Sequence, residues 1–123
     1  MSNPPPPPAE AAPRLYTTTT FDPPPGYQVQ SSFGVVYGLV VRSMGFAKSF
    51  TGGFSSLRQG EVSQYTEVLE DARRHALDRL LENAGHVGAN GVLGVRFDST
   101  EIGNNMSEIV AYGTGVVLVP AAG

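Results

Sequence analysis

The sequence predicts an α+β fold, a β-α-β-β unit in which a curved antiparallel sheet packs on one long helix. Two observations lead to this fold class. Segments 29–41, 92–99 and 106–119 are rich in β-branched and aromatic residues, which is typical of strands. Segment 61–87 lies between the first two of these and carries apolar residues in steps of three and four, which indicates an amphipathic helix. The predicted order is therefore strand, helix, strand, strand.

A change in composition separates a tail from the folded body. Residues 4–8 are five consecutive prolines, nine of the ten prolines lie before Gly26, and all fifteen glycines lie from Gly26 onward. The β-branched sequence LYTTTT at Leu15–Thr20 favours an edge strand ahead of the prolines that precede Gly26. We divide the chain into three parts: a disordered proline-rich tail (1–13), an edge strand with a proline-rich turn (14–26) and one α+β domain (27–120).

The proline tract has two interpretations. Five prolines favour an extended left-handed helix without internal hydrogen bonds, which is the form that proline-binding domains recognise. The tract is therefore either a docking peptide for a protein partner or a solubilising tail. No specific charge pattern flanks the prolines, which favours the solubilising tail.

Composition argues against several partners and sites. The net charge is −3 and the basic residues are scattered, so nucleic acid is not an expected partner. The sequence has no cysteine, which excludes disulfides and thiolate metal sites. The N-terminus lacks the features of a signal peptide, and the longest apolar run, Val35–Val41, is too short to span a bilayer. We therefore expect a cytoplasmic protein that has no membrane partner.

The predicted sheet has more apolar surface than the predicted helix can cover. Strict alternation gives each strand one face of larger apolar residues. In the second strand, it places Leu93, Val95 and Phe97 on the same face. A sheet that is apolar on both faces must be covered on both, so the second face predicts a homo-oligomer. Glycine within a strand indicates a bulge or a close backbone approach, here to a helix or to a neighbouring chain. The strand glycines are Gly34, Gly38, Gly94, Gly113 and Gly115.

The segment between the first strand and the helix gives a weaker pattern. Phe46, Phe50, Phe54 and Leu57 recur at near-helical spacing, but Gly52-Gly53 interrupts them. A short, broken helix is expected there.

Four blocks of the sequence together resemble the small YbjQ-like family, whose members are labelled as heavy-metal-binding. The resemblance spans roughly Phe33–Val119. It implies a β-α-β-β subunit that closes into a homo-oligomeric ring, typically a pentamer, and it implies binding of a metal cation or small ligand. Two residues depart from the family pattern: Gln59 stands where glycine is common, and Gly85 lies where helix formers are usual. The blocks are QGEVSQYTEVLEDAR (59–73), GAN (88–90), GVRFD (94–98) and MSEIVAYGT (106–114).

Three acidic residues are the main metal-ligand candidates. Asp98, Glu101 and Glu108 bracket a predicted hairpin turn at 103–105. In a ring, such carboxylates repeat around the axis and could supply oxygen ligands to a cation. Ordinary surface acids beside a turn are the other interpretation.

A second metal candidate lies on the predicted helix. His75 has Asp71 four residues before it and Asp78 three residues after it, so one imidazole and two carboxylates share a face. Local ion pairs on a solvated helix give the same pattern, and they are the simpler interpretation.

The remaining site candidates are ligand-binding residues. Glu61 and Tyr65 open the predicted helix within a block that carries the family resemblance. Arg96 is either an anion ligand or an ion-paired interface residue beside Asp98. No nucleophile and base are placed together by the sequence, and no glycine-rich phosphate loop is present, so we expect no catalytic residues.

These features favour a non-catalytic, ring-forming protein that binds a metal cation or small ligand. A divalent metal ion is the candidate cofactor, and the sequence leaves its identity open. The alternative is an oligomeric scaffold that displays the proline-rich arms to a protein partner.

Overall fold

The computed structural model describes residues 15–43, 59–103 and 106–122, without the side chains of residues 59–65. The predicted α+β class and the predicted order of the long elements are confirmed. The proline-rich tail (1–13), the broken helix expected near Phe46–Leu57 and most of the predicted turn at 103–105 lie outside the described residues. The elements are β1 (Tyr16–Thr17), β2 (Tyr27–Ser43), α1 (Gln59–His86), β3 (Gly91–Ile102) and β4 (Met106–Pro120).

The sheet is mixed, whereas the sequence predicted an antiparallel one. Its strand order is β1-β3-β4-β2, and β4 pairs antiparallel with both β2 and β3, but β1 runs parallel to β3. The backbone N–H groups of Tyr16 and Thr18 donate to the carbonyl oxygens of Asn90 and Val92, which satisfies this part of the edge of β3. The parallel pair escaped prediction because β1 has two residues and no turn links it to its neighbour.

α1 packs on the sheet through a narrow stripe of small residues. The stripe follows the predicted steps of three and four, and alanine at three of its four positions lets the helix approach the strands. On either side of the buried residues, Leu69 and Val87, which the same steps of three and four include, are 37% and 49% exposed. Among the described residues, no helix is long and apolar enough to cross a membrane. The buried members of the stripe are Ala72, Ala76, Leu80 and Ala84.

Gly38 in β2 lies at the point where strand and helix meet. A Cβ at this position would overlap the backbone nitrogen of Leu80 and the carbonyl oxygen of Ala76. Val36 and Val40 are buried on either side of it. The predicted close approach to a helix is therefore confirmed at this glycine.

A bulge at Gly94 interrupts the pairing of β3 with β4. Leu93 lies opposite Thr114 and Arg96 lies opposite Tyr112, so β3 has one residue more than β4 across this interval. The φ angle of Gly94 is +66°, a conformation that glycine adopts without the strain that a Cβ would add.

The bulge reverses the predicted alternation of β3. Leu93 shares a face with Thr114, whereas Phe97 lies opposite Ala111 on the face that α1 covers. The prediction that Leu93 lies on the same face as Phe97 is therefore wrong. Its physical reason is the extra residue, because each one-residue shift transfers the following side chains to the other face. Leu93 belongs to a second small core with Val116 and Leu118.

The sheet face opposite α1 carries large apolar side chains that no described residue covers. On β2, the exposed fractions are 74% for Val35, 57% for Tyr37, 37% for Leu39 and 49% for Val41. Because directly opposed residues share a face, these four define one surface with their partners on β4 and β3, and we call it the open face. Its cross-strand rows are Val35–Thr114, Tyr37–Tyr112–Arg96, Leu39–Val110–Asp98 and Val41–Glu108–Thr100. Leu93 continues the first of these rows but is buried, so the open face ends before it.

Candidate functional site

Polar side chains lie at the centre of the open face. Tyr37, Tyr112 and Arg96 lie directly opposite one another on β2, β4 and β3, and Asp98 lies in the next row. Hydrogen bonding of the Tyr112 hydroxyl with Asp98 is the main influence that raises the pKa of Tyr112 above its ordinary value. The negative charge of Asp98 and partial burial raise that pKa further, while the positive charge of Arg96 lowers it. Asp98 keeps further lone pairs, so its carboxylate can still accept a cation or a second donor.

Arg96 holds the N-terminal segment against the sheet. Its Nη1 atom donates to the carbonyl oxygens of Thr19 and Val95, both at 2.9 Å. Its guanidinium carbon lies 5.4 Å from the centroid of the Phe21 ring, a cation–π contact. The Phe21 ring in turn lies over Gly94, where a Cβ would come within 2.6 Å of it. These contacts give Arg96 a structural role, and its role as a ligand-binding residue stays a prediction.

The three predicted metal-binding acids do not share one surface. Asp98 and Glu108 both lie on the open face, in neighbouring rows. Glu101 lies opposite Ser107. It is adjacent in β3 to Thr100, which faces Glu108 on the open face, so the side chain of Glu101 lies on the helix side of the sheet. Within one chain, no three His, Asp or Glu side chains of the described residues gather closely enough to hold a metal ion. Within one chain, a cation could therefore have at most two of these acids as ligands.

His75 lies in an ion-paired group at the end of β2. Nη2 of Arg42 donates to Oδ2 of Asp71 at 3.0 Å and also contacts Nδ1 of His75. Oδ2 of Asp71 lies 3.9 Å from the same imidazole nitrogen. The guanidinium therefore occupies the side of His75 that faces Asp71, where a metal ion would meet a positive charge. This arrangement matches the ion-pair interpretation of the helix face, and metal binding by His75 stays a prediction.

Glu61 and Tyr65, the other ligand-binding candidates, lie in the first turns of α1. Their side chains are outside the described part of the chain, so ligand binding by these two residues stays a prediction.

Two residues of structural importance were missed by the sequence analysis. Tyr112 could have been found by counting outward from the turn, since pairing Ile102 with Met106 leads directly to Arg96 opposite Tyr112. Asn90 gives a less obvious signal, although it belongs to the GAN block that carries the family resemblance. Its side-chain amide donates to the carbonyl oxygen of Leu118 at 3.0 Å, and its Oδ1 accepts from the Leu118 N–H at 2.6 Å. The side chain of Asn90 thus makes the two hydrogen bonds that a neighbouring strand would make to the backbone of Leu118.

A family model described as "Putative heavy-metal-binding" matches residues 15–119 of this chain. A UPF0145 protein of Bradyrhizobium sp. (strain ORS 278) is 52% identical over 96 residues, which cover 78% of this chain and 86% of the relative. A UPF0145 protein of Methanoregula boonei is 48% identical over 99 residues, which cover 80% of this chain and 82% of the relative.

A third relative, a UPF0145 protein of Sulfurisphaera tokodaii, is 49% identical over 94 residues, which cover 76% of this chain and 82% of the relative. Among solved structures, a protein of unknown function from Pediococcus pentosaceus aligns with a TM-score of 0.49 at 16% identity. That alignment covers 87% of this chain and 98% of the other. The predicted family resemblance is confirmed by the family model and by these relatives.

Proposed function

Because this chain belongs to the uncharacterised UPF0145 group, the family with the heavy-metal-binding description, we propose that it is a ring-forming homo-oligomer that binds a divalent cation or small ligand. It does so without catalysing a reaction. We place it in the cytoplasm, and we take five as the number of subunits from the resemblance described above.

The open face is the observation that supports an oligomer. Val35 and Tyr37 are more than half exposed in the single chain, and both stand on β2, the outer strand of the open face, beside the exposed Leu39 and Val41. A contiguous apolar surface of this kind marks an interaction site, because leaving it in water costs free energy. In a ring, the open faces of successive copies can turn toward the axis and shield one another from water.

Asp98 and Glu108 support a cation as the ligand. They lie on the open face, so ring symmetry repeats both of them around the axis and raises the number of carboxylates near one another. Carboxylate oxygens suit Mn(II), Ca(II) and Mg(II), whereas soft ions such as Cu(I) prefer sulfur ligands. Since the chain has no cysteine, we expect weak binding of hard divalent ions.

Calorimetry with MnCl₂ on the purified full chain tests this proposal. The test variant carries Asp98→Asn and Glu108→Gln, and the matched control carries Glu101→Gln, which removes an acid from the other side of the sheet. We expect the double variant to weaken Mn(II) binding by about tenfold or more, since affinity follows the number of charged ligands. The Glu101→Gln control should bind as the wild type does.

Other outcomes lead to other functions. Tight Zn(II) binding that survives the double variant but disappears with His75→Ala would move the site to α1. If no divalent ion binds, the scaffold with proline-rich arms becomes the better proposal, and loss of a protein partner on deletion of residues 1–13 would support it. Native mass spectrometry reports the number of subunits and any retained ligand in one measurement.

A further inference from the structure

β2 is the last strand of the sheet, and its outer edge has no strand partner among the described residues. One hydrogen bond shows how this edge is oriented. Nδ2 of Asn83 on α1 donates to the carbonyl oxygen of Tyr37 at 2.8 Å, so this carbonyl points away from β4. Residues in an antiparallel strand alternate in the direction of their backbone groups. Leu39 and Val41 therefore also direct their N–H and C=O groups outward.

Along Val35–Val41, the described residues provide few of the features that keep strand edges from pairing, and the two bulges of β2 precede this run, between Val29 and Gly34. The run Val35–Val41 reads VVYGLVV, with no charged residue and no proline. Long exposed edges of apolar sequence pair readily with another strand, and monomeric proteins block them with lysine, proline, bulges or a covering segment. The one edge carbonyl with a described partner is that of Tyr37. The rest of the edge is a template for a further strand.

A second free edge lies on β3. The N-terminal segment bonds to β3 as far as the bulge, where the N–H groups of Gly94 and Val95 donate to the carbonyl oxygens of Thr20 and Thr18 at 2.7 and 2.9 Å. Beyond that point, Arg96–Ile102 has β4 on one side and no strand on the other within the part of the chain that the structure describes.

An open cleft lies beside the outer edge of β2. A cleft of about 560 Å³ separates the edge of β2 from α1. Arg79 and Glu82 line this cleft from the helix side, so they offer one basic and one acidic group to a strand that enters it. The free edge of β3 carries Glu101 on the helix side of its own sheet, so a continuous sheet would bring this glutamate to the same side as Arg79 and Glu82. The cleft is lined by Tyr37, Leu39, Arg79, Glu82 and Asn83.

We propose that the outer edge of β2 in one copy pairs with the free edge of β3 (Arg96–Ile102) in the next copy, so that the sheet continues from subunit to subunit. This inference rests on the proposed ring and specifies the contact between neighbouring subunits, which we call the joint. Head-to-tail pairing satisfies both free edges of every copy, and it closes into a ring when the rotation per subunit allows. Pairing of β2 with a second β2 would close at two copies and leave the β3 edges unpaired.

Disulfide cross-linking tests the joint, and the chain has no native cysteine to interfere. Each variant carries two cysteines. The first replaces Tyr37, Leu39 or Val41, so that the three variants sample three registers of β2 against β3 of the next copy. The second cysteine replaces Thr100 on the open face or, in the matched control series, the adjacent Ser99 on the helix side. Within one chain, β2 and β3 are separated by β4, so these positions are about 10 Å apart. A bridge within one chain is excluded because bridged Cα atoms lie within about 7 Å.

Non-reducing electrophoresis of the oxidised variants, with circular dichroism as the folding control, gives the result. We expect covalent multimers from at least one Thr100 variant and from no Ser99 variant. Oligomers in light scattering that give no cross-link, or that cross-link equally in both series, would overturn the joint and leave the ring standing. Covalent dimers from Leu39→Cys alone would show β2–β2 pairing. A folded monomer would overturn the ring as well.

Discussion

Asp98 on β3 raises the pKa of Tyr112 on β4, by hydrogen bonding and by its negative charge, although the residue directly opposite Asp98 is Val110. The interaction is therefore diagonal, between neighbouring rows of the open face. It ties an aromatic residue to one of the two acids proposed to bind a cation. A substitution that removes the charge of Asp98 should therefore change the pKa of Tyr112.

Asp98→Asn should lower the pKa of Tyr112 toward the ordinary value of about 10, because an amide lacks the negative charge and accepts a weaker hydrogen bond. The chain has five tyrosines and no tryptophan, so ultraviolet absorbance follows phenolate formation directly. Comparison with Tyr112→Phe identifies the step that belongs to Tyr112. Glu101→Gln, on the other side of the sheet, is the control. An unchanged titration in Asp98→Asn would contradict the contact.

The same shift predicts how stability depends on alkaline pH. Because folding raises the pKa of Tyr112, the stability that this group contributes is fully present below the unfolded pKa of about 10. It is lost as the pH rises through the raised folded pKa. Denaturant titrations across this range should show a smaller alkaline loss in Asp98→Asn than in the wild type.

Gly38→Ala should destabilise the fold, because a Cβ there would overlap the backbone of α1 and neither element can move alone. Overpacking of this kind costs about 1–3 kcal/mol. Gly85→Ala is the matched control, since a Cβ at that helical position meets nothing within 4 Å. Alanine there should stabilise the chain by up to about 1 kcal/mol through helix propensity. Urea unfolding measures both, and equal midpoints would contradict the close approach at Gly38.

The sequence was sufficient for features that depend on local pattern. The limits of β2, α1, β3 and β4 lie within about three residues of the predicted ones, because β-branched runs and helical periodicity are local signals. The excess apolar face of β2 was predicted in the same way.

Features that depend on one backbone angle or on distant partners could not be predicted. The sequence marks Gly94 as the site of a bulge or a close approach, but it marks four other strand glycines in the same way, so it does not tell which of them shifts the register of β3. By contrast, the separation of Glu101 from Asp98 and Glu108 follows from the alternation of side chains along β3, so it could have been predicted from the sequence. The contact of Arg42 with Asp71 and His75 joins β2 to α1 between residues far apart in the sequence, so no spacing rule reveals it.

Deletion of residues 1–13 should leave the melting temperature and the oligomer size unchanged. This segment consists mainly of proline, alanine and polar residues, and it lacks the apolar side chains needed to offset the entropy of ordering. Thermal unfolding and light scattering of the truncated and full chains provide the comparison. A clear drop in either quantity would mean that the tail packs on the folded body.

Val35→Lys should dissociate the oligomer while leaving the single chain folded. The side chain of Val35 is 74% exposed in one chain, so its replacement removes little intramolecular packing. In the proposed ring it lies on the surface that copies shield from water, where a lysine charge would be costly to bury. Val87→Lys is the control, because Val87 is also an exposed valine but lies beyond the end of α1. Light scattering measures assembly and circular dichroism measures folding. If Val35→Lys assembled as the wild type does, the open face would not be the interface.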